Sequence, residues 1–464
     1  MTNLWQWELI LNGCRKQLLQ ISLISGIACF LLNSIFVFNQ LLYKIFMDLT
    51  QDNIYTIKQE WNTVGSKYAS DVNEMVEFGD TNGWENWKGP EPKDDRDHLS
   101  DAVFELLKEA NLNNTVSQFR EDFPPAHGPM VNFMKTKGQS IEQLHFIEEQ
   151  KILFMVGTAY TKRQAYILKG KMVIELDAAI NAIGKSKKNN VFAIASNNAI
   201  VTTQGWEGPI IAQFNLDITK DFEITELIPF NDGKKVLLIT SEGIFIISME
   251  SENRIHPLPD LEDEEWESNI DMENATLSHD NNYIVVGDQC CEHRILDHNG
   301  VEIADVELQS SYPHFCLFSK DDQQLISNSC HFYNGVTLGI ATSDFENGTV
   351  NTNGDYDPYT LIDDGMRVYC GVATSKYYIL GDAYGYIKAI DIKGKCIWKQ
   401  FLGSTISGMT VSDDEDVLWV GSSSGMLHKL ILNKGLRDKH TIGTANHYEE
   451  FRLVIWKEEP IMKW

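Results

Sequence analysis

A loosely repeated phrase occurs seven times along the chain and constrains its fold more than any other feature. Each copy joins a turn rich in Asn, Asp, Lys or Gly to a strongly apolar run that ends in a small or acidic residue. The clearest copy is "FSKDDQQLISNS", from Phe318 to Ser329. The seven apolar runs end at Gly157, Ser196, Ser241, Asp288, Ser329, Asp382 and Ser422. Differences between successive end points are 39, 45, 47, 41, 53 and 40 residues.

Such spacing is typical of a repeated unit of four short antiparallel strands, which takes about 40–50 residues. The turns before the apolar runs repeat the same chemistry, with residue types that tolerate tight hairpin geometry. They read "NDGK" at Asn231, "HDNN" at His279, "KDDQ" at Lys320 and "DDED" at Asp413. We therefore predict an all-β fold, a seven-bladed β-propeller closed into a ring, with a small N-terminal helical region.

The chain resembles WD40-like and quinoprotein-like propellers over residues 141 to 456. "FSKDDQQLISNS" is similar to the turn-and-strand phrase of WD40 repeats, although the Trp-Asp and Gly-His pairs of that family are absent. "AIDIKGKCIW", Ala389 to Trp398, is similar to the tryptophan-docking phrase of quinoprotein propellers, but is one residue shorter and lacks its Thr. In both families these motifs pack neighbouring blades. The resemblance therefore implies a fold and no cofactor residues.

Three regions are expected. Residues 1–46 form a hydrophobic segment, in which Leu18 to Phe38 are 21 residues without a charge, about the length of a membrane-spanning helix. This segment is either a membrane anchor or an extension preceding a true start at Met47. Residues 47–140 form a helical cap, with one clear amphipathic helix in "HLSDAVFELLKEANL". Residues 141–464 form the propeller, and a strand at Phe451 to Trp456 is expected to latch the ring or cover an edge.

The charge of the chain limits its partners. It carries 66 acidic and 39 basic residues, for a net charge of −27. Nucleic-acid affinity comes largely from Lys and Arg, so nucleic acid is excluded as a partner, whereas a basic protein is compatible. The densest acidic run surrounds a tryptophan, a residue type enriched in interface anchors. We take it as the candidate partner-binding site, although most charged runs only face water; its residues are Glu262, Asp263, Glu264, Glu265 and Trp266.

The eight cysteines do not have the spacing of a disulfide scaffold, and the adjacent Cys290 and Cys291 would form a strained pair. A reducing compartment fits best, so we expect a cytoplasmic protein, or a membrane-anchored one if the N-terminal segment is an anchor. The sequence offers two groups of possible metal ligands, but structural roles are favoured for both, and we predict no metal and no cofactor. The zinc candidates are His293, His314, Cys316, Cys330 and His331, and the calcium candidates are Asn351, Asn353, Asp355 and Asp357.

Catalytic motifs are missing from the sequence, including nucleophile elbows, glycine-rich phosphate loops and zinc-protease helices. We predict a non-enzymatic scaffold that binds another protein through its loops and faces. One version, suggested by a bacterial-looking, acidic, cytosolic chain, is an inhibitor or immunity-type protein for a basic partner. The alternatives are a ligand- or metal-binding, quinoprotein-like propeller that uses its central channel, and a membrane-tethered assembly factor.

Overall fold

A computed structural model describes residues 51–464, apart from residues 198, 217–222, 260–267, 269, 333, 349 and 351–358. The chain divides into two compact units, Met1–Trp61 and Asn62–Trp464. Most of the first unit, including the apolar segment Leu18 to Phe38, lies outside the described residues. The predicted boundaries at 46/47 and 140/141 stay predictions. The sheets described next all belong to the second unit.

Consecutive strands form seven antiparallel sheets in the described residues, six with four strands and one with five. This is the predicted seven-bladed β-propeller. Blade one is β1 (Ile141–Glu148), β2 (Lys151–Val156), β3 (Gln164–Lys169) and β4 (Met172–Glu175). Blade two is β5 (Ile180–Lys185), β6 (Val191–Ser196), β7 (Ala199–Gln204) and β8 (Ile210–Asn215). Blade three is β9 (Ile224–Pro229), β10 (Lys235–Thr240), β11 (Gly243–Ser248) and β12 (Glu252–His256).

The remaining blades follow the same order along the chain. Blade four is β13 (Asn274–Leu277), β14 (Tyr283–Gly287), β15 (His293–Asp297) and β16 (Glu302–Val306). Blade five is β17 (Tyr312–Phe318), β18 (Gln324–His331), β19 (Asn334–Ala341) and β20 (Tyr359–Asp364). Blade six is β21 (Val368–Ala373), β22 (Tyr378–Asp382), β23 (Tyr386–Ile390) and β24 (Cys396–Phe401). Blade seven is β25 (Ile406–Val411), β26 (Val417–Ser422), β27 (Met426–Ile431), β28 (Tyr448–Val454) and β29 (Met462–Lys463).

The second strand of each blade is mostly apolar because it is covered on both sides, although β18 of blade five also buries Ser327, Asn328 and Ser329. In β10, Leu237 and Ile239 pack in a core shared with blade four. The intervening Val236 and Leu238 pack in a core shared with blade two. Successive side chains of a strand point to opposite faces, so a strand covered by a neighbouring blade on each side carries apolar residues on both faces. All seven apolar runs found in the sequence are second strands.

Blade seven closes the ring against blade one by packing. In β26, Trp419 joins the apolar core of blade one, whereas Leu418 and Val420 face the core shared with blade six. Two hydrogen bonds reinforce the closure: Ser407 Oγ donates to the Ile141 carbonyl at 2.9 Å, and Thr410 Oγ1 accepts from the Phe146 amide at 3.1 Å. The terminal strand predicted at Phe451 to Trp456 overlaps β28, the fourth strand of blade seven, and β29 pairs with its outer edge.

The repeated turn is a small hydrogen-bonded unit. Ser319 Oγ donates to Asp321 Oδ1 at 2.7 Å and accepts from the Gln324 amide at 3.0 Å. Asp322, which follows, adopts a left-handed backbone with φ of 59°, a conformation that Asp and Asn tolerate better than most residues. The same two bonds recur at Ser278 in blade four and Ser412 in blade seven. This shared geometry explains why the phrase recurs without being identical.

Helices precede the propeller. They are α1 (Gln51–Asn82), α2 (Ser100–Leu112), α3 (Val116–Asp122) and α4 (Val131–Lys137). Helix α2 is the predicted amphipathic helix and buries Val103, Phe104, Leu106, Leu107 and Ala110. Its Asn111 side chain pairs with the backbone of Lys463 through two hydrogen bonds of 2.8 and 2.9 Å, which holds this helix against blade seven.

Candidate functional site

A cluster of three possible metal ligands and a set of exposed aromatic side chains lie at one end of the ring. In a four-stranded antiparallel blade, the second and fourth strands end at the same edge. The turns between second and third strands therefore lie at the same end as the connections between blades, and we call this end the upper face. It includes residues 288–292 of blade four, 331 and 332 of blade five and 383–385 of blade six.

A cluster of three metal-ligating side chains lies on the upper face between blades three and four. His256 ends β12, and Asp288 and Cys291 lie in the turn between β14 and β15. His256 Nε2 is 3.1 Å from Asp288 Oδ2 and 3.7 Å from Cys291 Sγ. His256 and Asp288 are buried and Cys291 is half-buried. We call these three residues the His256 cluster; among the described residues, no other group of three such side chains could hold a metal.

The electrostatics of the His256 cluster do not activate its thiol. Burial, together with the Asp288 charge, raises the pKa of Cys291 to about 12, so the thiol stays protonated near neutral pH. Burial alone would raise the pKa of Asp288, but hydrogen bonds from His256 and from the Cys290 amide outweigh it and lower that pKa. Because the same His256 nitrogen faces both Asp288 and Cys291, the ring cannot relay a proton between them as in a nucleophilic triad.

Exposed aromatic side chains occupy the upper face of blades five and six. Phe332 is 66% exposed in the turn between β18 and β19, and Tyr384 is 49% exposed in the turn between β22 and β23. Tyr369, near the start of β21, is 41% exposed. We call Phe332, Tyr369 and Tyr384 the aromatic patch. Its members belong to turns and strand ends that the ring holds in place.

Arg367 fixes part of the aromatic patch. Its Nη1 donates to the Phe332 carbonyl at 2.6 Å, and its guanidinium carbon lies 5.2 Å from the centre of the Tyr369 ring. His314 contacts the Tyr369 ring edge to face, with centroids 4.7 Å apart. Phe332 has a φ of 41°, an uncommon conformation for a bulky residue that surrounding contacts must maintain. These contacts hold Phe332 and Tyr369 in their exposed positions.

The zinc candidates weighed in the sequence form no group of three ligands among the described residues. Both ring nitrogens of His293 are already used, by Ser327 Oγ at 2.7 Å and by Asn274 Oδ1 at 2.8 Å. The His314 Nδ1 lies 2.6 Å from the Val368 carbonyl, and His331 Nδ1 contacts Ser311 Oγ at 2.8 Å. Cys316 and Cys330 are buried free thiols. These residues act as packing and hydrogen-bonding groups.

Two other groups of candidate residues lie outside the described residues. They are the acidic run with Glu262, Asp263, Glu264, Glu265 and Trp266, and the calcium candidates Asn351, Asn353, Asp355 and Asp357. All six cysteines of the described residues are free thiols, and Cys290 and Cys396 are exposed. Because it lies outside the described residues, the acidic run stays a predicted partner-binding site, and the calcium candidates stay untested.

The central channel is lined by the innermost strands, and two oppositely charged side chains, Glu226 and Lys187, influence each other there. Glu226 of β9 is open to the channel, but the surrounding protein raises its pKa, an effect that the Lys187 charge opposes. Burial likewise lowers the pKa of Lys187, against the effect of Glu226. Glu226 belongs to blade three and Lys187 to blade two, and no metal-ligating group of three lies with them in the described part of the channel.

The sequence matches no protein-family model, and none of the curated proteins compared with it matches either. Solved structures with similar folds include the computationally designed Ika8 protein, with 15% identity and a TM-score of 0.42 over 62% of this chain and 82% of that one. Hydrazine synthase from Kuenenia stuttgartiensis has 11% identity and a TM-score of 0.39, over 55% of this chain and 76% of that one. BamB from Moraxella catarrhalis has 13% identity and a TM-score of 0.38, over 62% of this chain and 95% of that one. None of these similarities bears on what the chain binds.

Within the part of the chain that is described, no helix has both the length and the apolar character that a membrane span requires. The predicted anchor, Leu18 to Phe38, lies outside that part.

The His256 cluster and the aromatic patch were missed at the level of sequence. His256 and Cys291 are 35 residues apart and meet only because blades three and four are adjacent. The repeat could have located part of these sites, because the residues that directly follow each second strand all lie at the same end of the ring. This rule would have placed Asp288, Phe332 and Tyr384 on the same end of the ring.

Proposed function

We propose that the protein is a non-enzymatic scaffold that binds another protein through the upper face of blades five and six. The observation that supports this proposal is the aromatic patch, in which three large side chains stand exposed at fixed positions. Exposed aromatic residues beside an arginine have the composition of interface hot spots. Because the ring already holds them in place, binding costs little ordering entropy.

The proposed partner is a basic protein. The chain has a net charge of −27, which attracts a cationic surface over long range and raises the rate of encounter. The faces of the exposed aromatic rings also attract Lys and Arg side chains. An inhibitor or immunity-type role towards such a partner is one form of this function, and a cytoplasmic location agrees with the free, partly exposed thiols.

The proposal is tested by comparing two double variants in pull-downs from native lysate at low and high salt. Phe332→Ser with Tyr384→Ser removes most of the aromatic patch, and we expect at least about tenfold weaker capture of the partner. Met172→Ser with Ile210→Ser removes two exposed apolar side chains from the outer strands β4 and β8. This control should capture as much partner as the unmodified chain.

Salt dependence gives the second readout. Capture by the unmodified chain should weaken as salt rises, because the attraction between an acidic scaffold and a basic partner is screened. Equal capture by the two double variants, or a partner retained equally at low and high salt, would contradict the proposal.

A further inference from the structure

The three donor atoms of the His256 cluster have the separations of a tetrahedral metal site. Bond lengths of about 2.0–2.3 Å to zinc place neighbouring ligand atoms about 3.3–3.6 Å apart. The observed separations are 3.1 Å between His256 Nε2 and Asp288 Oδ2, and 3.7 Å between His256 Nε2 and Cys291 Sγ. All three donors lie within 4.8 Å of one another. Small side-chain adjustments would therefore bring them around one ion.

The orientation of Asp288 also fits a ligand. Its Oδ1 accepts the Cys290 amide at 2.7 Å, which leaves Oδ2 directed at His256. Outer-shell hydrogen bonds of this kind orient ligating carboxylates in metal sites. The donor set of one imidazole, one carboxylate and one thiolate is typical of zinc, which binds N, O and S ligands.

The charges around the His256 cluster balance when a divalent ion is bound. A Cys291 thiolate and the Asp288 carboxylate supply two negative charges. The neighbouring Arg294 is neutralised by Glu302, to which its Nε donates at 2.7 Å and its Nη2 also donates. No net charge is therefore buried at the site, which removes the main cost of placing an ion between two blades.

We propose that His256, Asp288 and Cys291 bind one zinc ion on the upper face, with the fourth position open to water or to a ligand. Three protein ligands and one open position are the arrangement that lets zinc bind an external group. This site is separate from the aromatic patch, which lies on blades five and six, and it does not depend on the proposed partner.

Zinc binding has to change the protonation of His256. Arg294 Nη1 lies 3.2 Å from His256 Nδ1, and because Arg only donates, Nδ1 is the acceptor and Nε2 carries the ring proton. A zinc ion at Nε2 displaces that proton, and Nδ1 must then carry one for the ring to stay neutral. Arg294 therefore gives up its hydrogen bond to Nδ1 when zinc binds. The proton of the Cys291 thiol is released to solvent.

The test is a Co²⁺ titration of the full chain, purified under reducing conditions and followed by absorbance, with Zn²⁺ then added to displace the cobalt. We expect one equivalent to bind, with the absorption of tetrahedral cobalt and a thiolate-to-cobalt charge-transfer band. Cys291→Ser should abolish that band, whereas Cys290→Ser and Cys396→Ser, which change exposed thiols, should retain it. His256→Gln and Asp288→Asn should weaken binding by at least about tenfold.

Absence of the charge-transfer band in the unmodified chain would overturn the proposal, as would its retention in Cys291→Ser. These readouts do not require the buried His256 or Asp288 to be changed, so they hold even if those variants fold poorly. Arg294→Gln tests the protonation step: it removes the donor that holds Nδ1 as an acceptor, so zinc should bind more tightly than to the unmodified chain. Unchanged or weaker binding by this variant would overturn that step.

Discussion

The side chain of Asp322 fastens two neighbouring blades. Its Oδ1 accepts the His279 amide at 2.7 Å and contacts His279 Nδ1 at 2.8 Å, and its Oδ2 accepts the Asp280 amide at 2.9 Å. The Lys188 ammonium of blade two lies 4.0 Å from the same carboxylate. Burial alone would raise the pKa of Asp322, but the hydrogen bonds from His279 and Asp280 outweigh it and lower that pKa.

The sign of this shift gives a pH-dependent prediction for Asp322→Asn. A carboxyl whose pKa is lower in the folded state stabilises the fold above its unfolded pKa of about 4, and this contribution is lost as the pH falls through the folded pKa. Asn keeps the shape and tolerates the left-handed backbone but lacks the charge. We expect it to lower the stability by about 1–3 kcal/mol at pH 7, with the difference narrowing below about pH 4.

Urea-unfolding midpoints measured from pH 7 to pH 3 check this expectation. The control is Glu250→Gln, which removes an exposed carboxylate from the turn between β11 and β12 and should leave the midpoints nearly unchanged at every pH. A deficit in Asp322→Asn that stays constant down to pH 3 would show that the loss of an acceptor oxygen, rather than the loss of charge, lowers the stability.

At the scale of the element, blades join through single large side chains as well as through turns. Trp398 of β24 is buried in the core shared by blades six and seven, with Leu418 and Leu430. Its ring meets the rings of Tyr377 and His447 edge to face, at 6.3 and 4.3 Å between centroids. The tryptophan of the docking-like phrase therefore packs neighbouring blades, as the resemblance to quinoprotein propellers implied.

Replacing Trp398 with Ala should destabilise the ring by about 3–5 kcal/mol, because a large cavity would open between two blades. The adjacent Ile397 points to the other side of β24 and is exposed, so Ile397→Ala should change stability by less than about 0.5 kcal/mol. Thermal unfolding of both variants measures the difference. Similar melting temperatures for the two would mean that blades six and seven are not coupled through this tryptophan.

The seven second strands could be predicted because packing on both faces leaves a largely apolar run, as in β10. The turns could be predicted because Ser319, Asp321 and Asp322 form their bonds within one short segment. Helix α1 was not predicted, since from Asn62 onwards it buries mainly small side chains such as Ala69 and Val72, which give a weak periodic signal. Contacts between blades, such as His256 with Cys291, depend on the closed ring and leave no local pattern.

At the scale of the whole molecule, the end of the described chain joins the helices to the propeller. Trp464 is fully buried, and its Nε1 donates to the Phe123 carbonyl at 2.8 Å. Its backbone pairs with Arg452 in blade seven through bonds of 2.9 and 3.2 Å. Arg120, in α3, adds an ion pair to Glu449 of β28. Blade seven is therefore the support on which α2 and α3 rest.

Trp464→Ala should release these helices without opening the ring. Loss of a buried tryptophan costs about 3–5 kcal/mol, and here the loss falls on the contact between α3 and blade seven, so local opening of α2 and α3 becomes easier. Hydrogen exchange should accelerate at amides of α2 and α3, while amides of β6 and β10 in blades two and three keep their protection. Ile461→Ala, at a partly exposed position three residues earlier, is the control and should leave exchange in the helices unchanged. Equal acceleration in β6 and β10 would instead mean that helices and blades unfold as one cooperative unit, with Trp464 stabilising the entire ring.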